Sequence, residues 1–175
     1  SFRDGFEKIV NTYHTLKKIL EDEGYSTGLG DEGGFAPNLN SSEEALQMLH
    51  DAIVKAGYTP GKEIAIAFDA AASYFYNKDK KVYELEGNTY TADELGEYYG
   101  KLLKEFPEII SIEDPYSEDD WENFAKFTKN YGDRVQIVAD DPVCTNPKLI
   151  RKAIEMGMAN SILIKLNQIG TVTET

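Results

Sequence analysis

The stretch Val135-Gln-Ile-Val-Ala-Asp140 is a short apolar run that ends in a carboxylate. The same pattern occurs at Ile64–Asp69, at Ile109–Glu113 and at Ser161–Lys165, and each of these runs also ends in a charged residue. Segments long enough to form a helix separate the runs. Strands that alternate with helices in this way predict a parallel sheet covered by helices.

The two faces of the predicted strands carry different side chains. Residues two apart on a strand share a face, so Ala67, Ser111 and Val138 lie on the same side as the terminal charges. The opposite face is uniformly large and apolar, and consists of Ile64, Ile66, Phe68, Ile110, Ile112, Ile137, Ile162 and Ile164. A barrel has a narrow interior and an apolar exterior, whereas a doubly wound open sheet packs helices on both faces. We therefore expect an α/β fold of the (β/α) barrel type, with helices packed on the apolar face.

Helix signals occupy the intervals between the predicted strands. Residues 2–20 place apolar side chains three and four positions apart, which predicts one amphipathic stripe. Ser41, Thr91 and Asn146 are typical helix caps that precede further apolar stripes. Residues 74–85 differ, because a polar turn between two apolar arms predicts a small β-hairpin there.

The composition is that of a globular protein with an acidic surface. Of the 175 residues, 41% are hydrophobic and 28% are charged, which excludes wholesale disorder. Lysine and arginine total 18 and aspartate and glutamate total 31, so the net charge is 18 − 31 = −13. Such a surface repels phosphate backbones and anionic membranes, so we expect neither nucleic acid nor membrane as a partner.

The single cysteine, Cys144, cannot form a disulfide within the chain. This fits a reducing compartment, and we expect a cytoplasmic location. Its neighbours Val143 and Thr145 offer no basic group that would lower the thiol pKa, so a nucleophilic role is not expected. No apolar run approaches the roughly 18 residues of a membrane span.

Three carboxylates, Asp69, Glu113 and Asp140, stand at equivalent strand ends. In a barrel they point into one mouth, where they repel one another unless a cation lies between them. Ligation by oxygen alone, without clustered histidine or cysteine, indicates Mg²⁺ rather than zinc. The alternative is that each acid caps a strand or binds a local partner. Because three acids occupy equivalent positions, we favour a shared cation site.

Lys165 ends the fourth strand and is the candidate base. Burial and nearby cations would lower its pKa and make it a usable base at neutral pH; the alternative is a salt bridge to one of the acids. Asp114 and Asp141 directly follow two of the candidate ligands. Because they are one residue out of phase, we expect them to point elsewhere and to begin turns.

The loop Gly30-Asp-Glu-Gly-Gly34 is the remaining polar feature. It lacks the Gly-Lys-Ser/Thr ending of a nucleotide-binding P-loop, so that function is rejected. A glycine-rich loop that carries acids can present one of them to a substrate, and Glu32 is the candidate. A plain solvated turn is the competing interpretation.

Five sequence motifs, in order along the chain, resemble the enolase (phosphopyruvate hydratase) family. They are Gly30-Asp-Glu-Gly-Gly-Phe-Ala-Pro-Asn38, Ser111-Ile-Glu-Asp-Pro115, Asp119-Asp-Trp121, Val138-Ala-Asp-Asp141 and Ile164-Lys-Leu-Asn-Gln-Ile-Gly-Thr171. The resemblance implies an α/β (β/α) TIM-like barrel and a lyase that dehydrates 2-phosphoglycerate to phosphoenolpyruvate in glycolysis, with Mg²⁺ as cofactor. It also implies a homodimer or larger assembly.

The resemblance assigns a role to each candidate residue. Asp69, Glu113 and Asp140 match the metal ligands, Lys165 matches the base that removes the proton beside the substrate carboxylate, and Glu32 matches the acid that assists hydroxide departure. Enzymes of the enolase superfamily are known for combining a lysine or histidine base with Mg²⁺ that stabilises an ene-diolate.

Several family features are missing from the sequence. These are the N-terminal domain, an earlier barrel segment, a downstream Ser-His-Arg-Ser motif and a later lysine. The resemblance therefore implies that residues 1–175 are a single segment of the C-terminal barrel domain and form roughly half of the barrel. We expect this segment alone to bind Mg²⁺ weakly and not to catalyse.

Three other functions compete with this interpretation. One is another metal-dependent enolising enzyme of the same superfamily. The second is a receiver-type signalling domain, which also binds Mg²⁺ at strand ends but places its acidic pair on the first strand, unlike this chain. The third is a non-catalytic remnant that only binds partners.

Overall fold

The computed structural model describes residues 1–175, which form two compact units, Ser1–Ile66 and Ala67–Thr175. A short 3-10 helix covers Ala72–Phe75. The helices and strands, in chain order, are α1 Phe2–Asp22, α2 Ser42–Lys55, β1 Ile66–Asp69, β2 Tyr76–Asn77, β3 Val82–Leu85, β4 Asn88–Tyr90, α3 Ala92–Glu105, β5 Ile109–Glu113, α4 Trp121–Tyr131, β6 Gln136–Ala139, α5 Pro147–Met156, β7 Ser161–Ile162 and α6 Leu166–Ile169.

The first unit is built on α1 packed against α2. A serine hydroxyl caps each helix, because Ser1 Oγ accepts the Asp4 N–H at 3.2 Å and Ser41 Oγ accepts the Glu44 N–H at 3.1 Å. The buried apolar side chains of the two helices are Ile19, Leu20, Leu46, Met48, Ala52 and Ile53.

The predicted stripe on α1 is buried only towards its C-terminal end. Phe2, Phe6 and Ile9 are 91%, 60% and 57% exposed, whereas Leu20 is 1% exposed. α1 has 21 residues and α2 has 14, so at a rise of about 1.5 Å per residue α1 is longer by roughly 10 Å. The shorter helix cannot cover the whole stripe.

The predicted parallel sheet is confirmed in the second unit. Its strand order is β1-β5-β6-β7. The β5–β6 pair is parallel with Glu113 opposite Val138, and the β6–β7 pair is parallel with Val138 opposite Ser161. Because β5, β6 and β7 share one direction, their carboxyl ends lie at one edge of the sheet. The end of β1 joins this edge, since Ala70 N donates to Glu113 O at 2.9 Å.

Three strands are shorter than predicted. β1 begins at Ile66, β6 covers only Gln136–Ala139, and β7 ends at Ile162. Lys165 therefore lies beyond the last strand, as the residue that precedes α6. Its place at the edge is set by the loop after β7 and not by the strand itself.

The predicted hairpin is a three-stranded antiparallel sheet, β2-β3-β4. β4 was not predicted, although Glu86 and Gly87 form the two-residue turn before it, with φ of 54° and 76°. Two positive φ values match the twist that a tight hairpin requires, and glycine at the second position makes this turn accessible.

Aromatic rings form the core of the second unit. Tyr83, Tyr99, Tyr116 and Phe127 are each at most 3% exposed, and their ring centroids lie 5.7–6.4 Å apart in the Tyr83–Tyr116, Tyr99–Tyr116, Tyr99–Phe127 and Tyr116–Phe127 pairs. Helix α3 approaches this cluster through Gly96. A Cβ atom there would lie 2.7 Å from Tyr116 Oη, so only glycine fits without a shift.

The predicted apolar strand face is only partly covered. Ile112 and Ile137 are fully buried, as expected, but Ile110 and Ile164 are 53% and 54% exposed. The prediction was wrong for these two positions. For Ile164 the reason is that β7 has already ended, so counting by two no longer assigns a face. None of the helices combines the length and the apolar character needed to cross a membrane.

Candidate active site

Three of the predicted site residues stand at the carboxyl ends of neighbouring strands. Asp69 and Glu113 are the last residues of β1 and β5, and Asp140 directly follows β6. Backbone hydrogen bonds hold these ends together, since Ala70 N donates to Glu113 O at 2.9 Å and Asp114 N donates to Val138 O at 3.0 Å. The register therefore delivers the three carboxylates to one edge of the sheet.

The charges at this edge influence one another. Burial, followed by the negative charges of Asp69 and Asp140, raises the pKa of Glu113 to about 7. Burial also raises the pKa of Asp69, and the carboxylates of Asp141 and Asp140 add to that effect. Glu113 and Asp69 are harder to ionise because they are partly buried and because other carboxylates are close, which is the electrostatic situation that a bound cation relieves.

Asp140 and Lys165 form an ion pair between Oδ2 and Nζ. The Asp140 side chain is only 5% exposed, whereas that of Lys165 is 39% exposed. The hydrogen bond to Asp140 raises the pKa of Lys165 above its ordinary value, and this outweighs the opposing effect of burial. Burial acts in the predicted direction, but the net shift is upward, and the salt bridge considered as the alternative is present. The predicted effect of a nearby cation on this pKa stays a prediction.

Asp114 does not point away from the site as predicted. It is 5% exposed, and its two oxygens accept the backbone N–H groups of Asp140 at 2.9 Å and Asp141 at 3.0 Å. The reason is its φ of +40°, which breaks the extended backbone directly after Glu113. The alternation of faces along β5 therefore ends at Glu113, whereas the prediction extended it to Asp114.

Three aspartates at this edge could hold a metal ion. Oxygens of Asp114, Asp140 and Asp141 all lie within 4.8 Å of one another. Asp140 is the one residue that this group shares with the predicted set of Asp69, Glu113 and Asp140. The Asp114 oxygens are already engaged by two backbone donors. All donors at this edge are carboxylate oxygens, a set that suits a hard divalent cation.

Glu32 lies in the first unit, in an exposed turn. Gly30 N donates to Gly34 O at 2.9 Å, and Gly33 N donates to Gly30 O at 3.0 Å, so the loop folds back on itself. Tyr13 Oη also donates to Gly33 O at 3.1 Å. The part assigned to Glu32 by resemblance stays a prediction.

Cys144 has no feature of a nucleophile. Partial burial and the negative charges of Asp141 and Asp140 raise its thiol pKa, and the Sγ donates to the Asp141 carbonyl oxygen at 3.0 Å. Raising the pKa lowers the thiolate fraction at neutral pH, in line with the prediction.

Two residues of the site, Gln168 and Thr145, were not among the predicted ones. Gln168 Nε2 donates to Asp140 Oδ1 at 2.8 Å, and Thr145 Oγ1 donates to Gln168 Oε1 at 2.6 Å. The sequence signal for them is weak: Gln168 is one turn of helix after Lys165, which puts both side chains on one side if a helix begins there.

Comparison with known proteins identifies a family that matches the whole chain. The model of the family "Enolase, C-terminal TIM barrel domain" matches residues 1–175. Over all 175 residues the chain is 77% identical to Enolase 2 of Lactiplantibacillus plantarum, 70% identical to Enolase 2 of Lactobacillus johnsonii and 67% identical to Enolase of Lactobacillus delbrueckii subsp. bulgaricus.

The chain spans 41% of the length of each of these relatives. The match is nevertheless continuous from the first residue to the last, and it includes the strand ends that carry the acidic edge. A (β/α) barrel of this family accounts for the parallel sheet order and for the charged residues at its carboxyl edge. The chain belongs to the enolase C-terminal TIM barrel domain family.

Proposed function

We propose that this chain supplies the metal ligands and the base of an enolase that dehydrates 2-phosphoglycerate to phosphoenolpyruvate in glycolysis. The observation that supports this most strongly is the acidic edge, where Asp69, Glu113 and Asp140 end neighbouring strands and Lys165 is paired with Asp140. Membership of the enolase barrel family makes dehydration the reaction to test first.

The metal that we propose for this edge is Mg²⁺, held by Asp69, Glu113 and Asp140. The donors fit, because they are oxygens and because burial, reinforced by the neighbouring negative charges, raises the pKa of Glu113 and of Asp69. When bound, Mg²⁺ would supply positive charge that stabilises the negative charge developing on the substrate carboxylate. The remaining chemistry belongs to side chains of the protein.

Lys165 is the proposed base, and its task is to accept the proton from the carbon beside the substrate carboxylate. Its pairing with Asp140 orients Nζ but also raises the pKa, which favours the ammonium form. The positive charge of Mg²⁺ at Asp140 would oppose that shift and favour the free amine that accepts the proton. Loss of the carbon-bound proton leaves an electron pair, which forms the new double bond as the bond from the adjacent carbon to its hydroxyl oxygen breaks.

Glu32 is the proposed acid at the second half of the reaction. The departing hydroxyl leaves with the electron pair of the broken carbon–oxygen bond and is a poor leaving group unless it is protonated. A proton from Glu32 converts it to water. The side chain is exposed in a glycine-rich turn, where it is accessible to a small substrate.

The same proposal covers location and assembly. We propose a cytoplasmic enzyme, a homodimer or a larger homo-oligomer as a whole protein, that acts on a small phosphorylated acid. A net charge of −13 supports the view that neither nucleic acid nor an anionic membrane is a partner.

A chimera tests the activity, since the chain spans only part of its relatives. Residues 1–175 would replace the matching segment of Enolase 2 of Lactiplantibacillus plantarum, which is 77% identical over this length. We expect the chimera to form phosphoenolpyruvate from 2-phosphoglycerate in the presence of Mg²⁺. We also expect Lys165→Ala in the chimera to abolish both product formation and exchange of the substrate carbon-bound hydrogen with solvent deuterium.

The proposal fails if a folded chimera is inactive while the parent enzyme is active. That result would favour a remnant that has lost catalysis. Retention of hydrogen exchange in the Lys165→Ala chimera would leave the enzyme assignment intact but overturn the role given to this lysine.

A further inference from the structure

A closed ring of hydrogen bonds connects Asp140 to Lys165 along two routes. On one side the Lys165 ammonium contacts Asp140 Oδ2 directly. On the other side Gln168 Nε2 donates to Asp140 Oδ1 at 2.8 Å, and Thr145 Oγ1 donates to Gln168 Oε1 at 2.6 Å. The Lys165 backbone N–H closes the ring by donating to Thr145 Oγ1 at 2.9 Å.

The charge of Asp140 fixes the direction of this ring. A carboxylate only accepts hydrogen bonds, so the NH₂ group of Gln168 must face it and the amide oxygen must face Thr145. The Thr145 hydroxyl then donates to that oxygen and accepts the Lys165 N–H. Rotating the amide by half a turn would place its oxygen against the Asp140 carboxylate. Two hydrogen-bond acceptors would then face each other with no proton between them, which is unfavourable.

The backbone around Thr145 is held in an uncommon conformation. Cys144 and Thr145 have φ values of 44° and 55°, in the left-handed region that residues other than glycine rarely adopt. Thr145 is also 4% exposed although it is polar. A strained, buried threonine persists when surrounding contacts require it, and here those contacts are the two hydrogen bonds of the ring.

We propose that Gln168 and Thr145 are positioning residues that lock the Asp140 carboxylate in one orientation relative to Lys165. The amide occupies Oδ1, so Oδ2 is left to face the lysine amine and the proposed metal position. Neither residue touches the reacting atoms; both act through Asp140 and the Lys165 backbone. This inference rests on the proposed function for its consequence, but the ring itself is a property of the chain.

Amide hydrogen exchange in the 175-residue chain tests the ring without any metal. We expect the Lys165 backbone amide to be protected in the original chain, to lose that protection in Thr145→Val, and to keep it in Thr145→Ser, which retains the hydroxyl. Gln168→Ala should accelerate the same exchange less strongly, because the acceptor remains. Equal exchange rates at Lys165 in the original chain and in Thr145→Val would overturn the proposal.

Binding of Mn²⁺, followed by electron paramagnetic resonance, tests the consequence. Gln168→Ala and Thr145→Val should each weaken affinity by about tenfold, the usual effect of removing a group that orients a metal ligand. The double variant should be little worse than either single one, since both break one ring. Thr145→Ser should restore affinity, and Gln47→Ala, a matched change at an exposed glutamine of α2 that bonds Asp51, should have no effect.

These outcomes separate the ring from the proposed function. Unchanged Mn²⁺ affinity in both single variants, with binding still abolished in Asp140→Asn, would overturn the positioning role and leave the metal site standing. If the original chain binds no Mn²⁺, the proposed metal site is contradicted, and Lys165 amide exchange alone then decides whether the ring exists.

Discussion

Asp114 connects two strand ends through the hydrogen bonds of a single carboxylate. It is nearly inaccessible to solvent, and each oxygen accepts a backbone N–H from the segment that follows β6. Charge-assisted bonds of this kind are stronger than neutral ones. They fix the backbone from which the Asp140 side chain projects, and they connect the end of β5 with the end of β6.

Replacement of Asp114 should therefore destabilise the chain markedly. Asp114→Ala leaves two backbone donors without their partner, and we expect a loss of about 3 kcal/mol in the free energy of unfolding. Urea denaturation measures it. Asp133→Ala, a change of the same kind at an exposed position, should stay within about 0.5 kcal/mol. An equal and small effect at both positions would contradict the stabilising role of the two hydrogen bonds that Asp114 accepts.

The raised pKa of Glu113 predicts an unusual pH dependence of stability. The folded chain holds this proton up to about pH 7, whereas the ordinary value is 4.5. Between these values the folded state binds more protons than the unfolded state, so the free energy of unfolding should fall as pH rises through this window. Ionising Glu113 in the folded chain is unfavourable because burial and neighbouring acids oppose it.

The comparison with Glu113→Gln isolates this contribution. The variant cannot titrate at this position, so the difference in unfolding free energy between it and the original chain should grow in favour of the variant as pH rises from about 4.5 to about 7. Denaturation curves at several pH values in the absence of divalent cations measure it. A difference that is constant with pH would show that the Glu113 pKa is not raised.

Individual site residues were predictable where the strand pattern held and not beyond it. Period-two counting placed Asp69, Glu113 and the residue after β6 at one edge because the backbone is extended up to those points. It failed for Asp114, where φ is positive. It gave no information on Gln168, whose role depends on a helix of only four residues and on the turn that holds Thr145.

Contacts between elements depend on the smallest residues as well as the largest. Gly100 of α3 faces Tyr131 of α4, and a Cβ atom at that position would lie 2.2 Å from Tyr131 Oη. The Tyr131 ring in turn packs against the Phe127 ring in a tilted arrangement, with ring centroids 4.8 Å apart. The tyrosine therefore cannot retreat freely, and the helices can approach this closely only because one of them carries glycine.

Gly100→Ala should destabilise the chain although alanine is the better helix former. The gain in helix propensity is about 1 kcal/mol, and the overpacking cost is about 2–3 kcal/mol, so a net loss of about 1–2 kcal/mol is expected. Gly5→Ala in α1 is the matched control, because a Cβ there meets nothing within 4 Å and only the propensity gain remains. Thermal unfolding compares the two.

A second substitution identifies the cause of that loss. In a Tyr131→Phe background the hydroxyl that lies closest to the Cβ position is gone, so Gly100→Ala should cost less than in the original chain. If Gly100→Ala stabilises as much as Gly5→Ala does, the close approach of α3 and α4 is not what the structure describes.

Element types were easier to predict than element ends. Capping residues and apolar spacing identified α1, α2, α3 and α5, and Thr91 with Glu94 forms a complete capping box. The four-residue helix α6 was not predicted. Strand ends were overestimated, because apolar residues such as Ile64 and Ile164 continue past the hydrogen-bonded ladder. The strand β4 was missed because Asn88–Tyr90 is short and polar, and its pairing depends on the turn before it.

For the molecule as a whole, the alternation of strands and helices was sufficient to predict the fold class. The parallel sheet and the barrel family confirm it. The same alternation places the ends of β1, β5 and β6 at one edge, so that the fold itself concentrates negative charge in an already acidic chain. The sequence could not predict which carboxylates bind a metal and which hold the backbone in place. That distinction depends on hydrogen bonds beyond the strand ends.

Mn²⁺ titration of the 175-residue chain with single substitutions distinguishes two possible sets of metal ligands. One is the proposed set of Asp69, Glu113 and Asp140, and the other is the group of Asp114, Asp140 and Asp141. We expect weak binding at one site, and we expect Asp69→Asn, Glu113→Gln and Asp140→Asn each to reduce affinity by at least about tenfold. Asp141→Asn should leave the affinity within about twofold of the original, because its carboxylate is not among the proposed ligands. Loss of binding in Asp141→Asn, with affinity unchanged in Asp69→Asn and Glu113→Gln, would contradict the account.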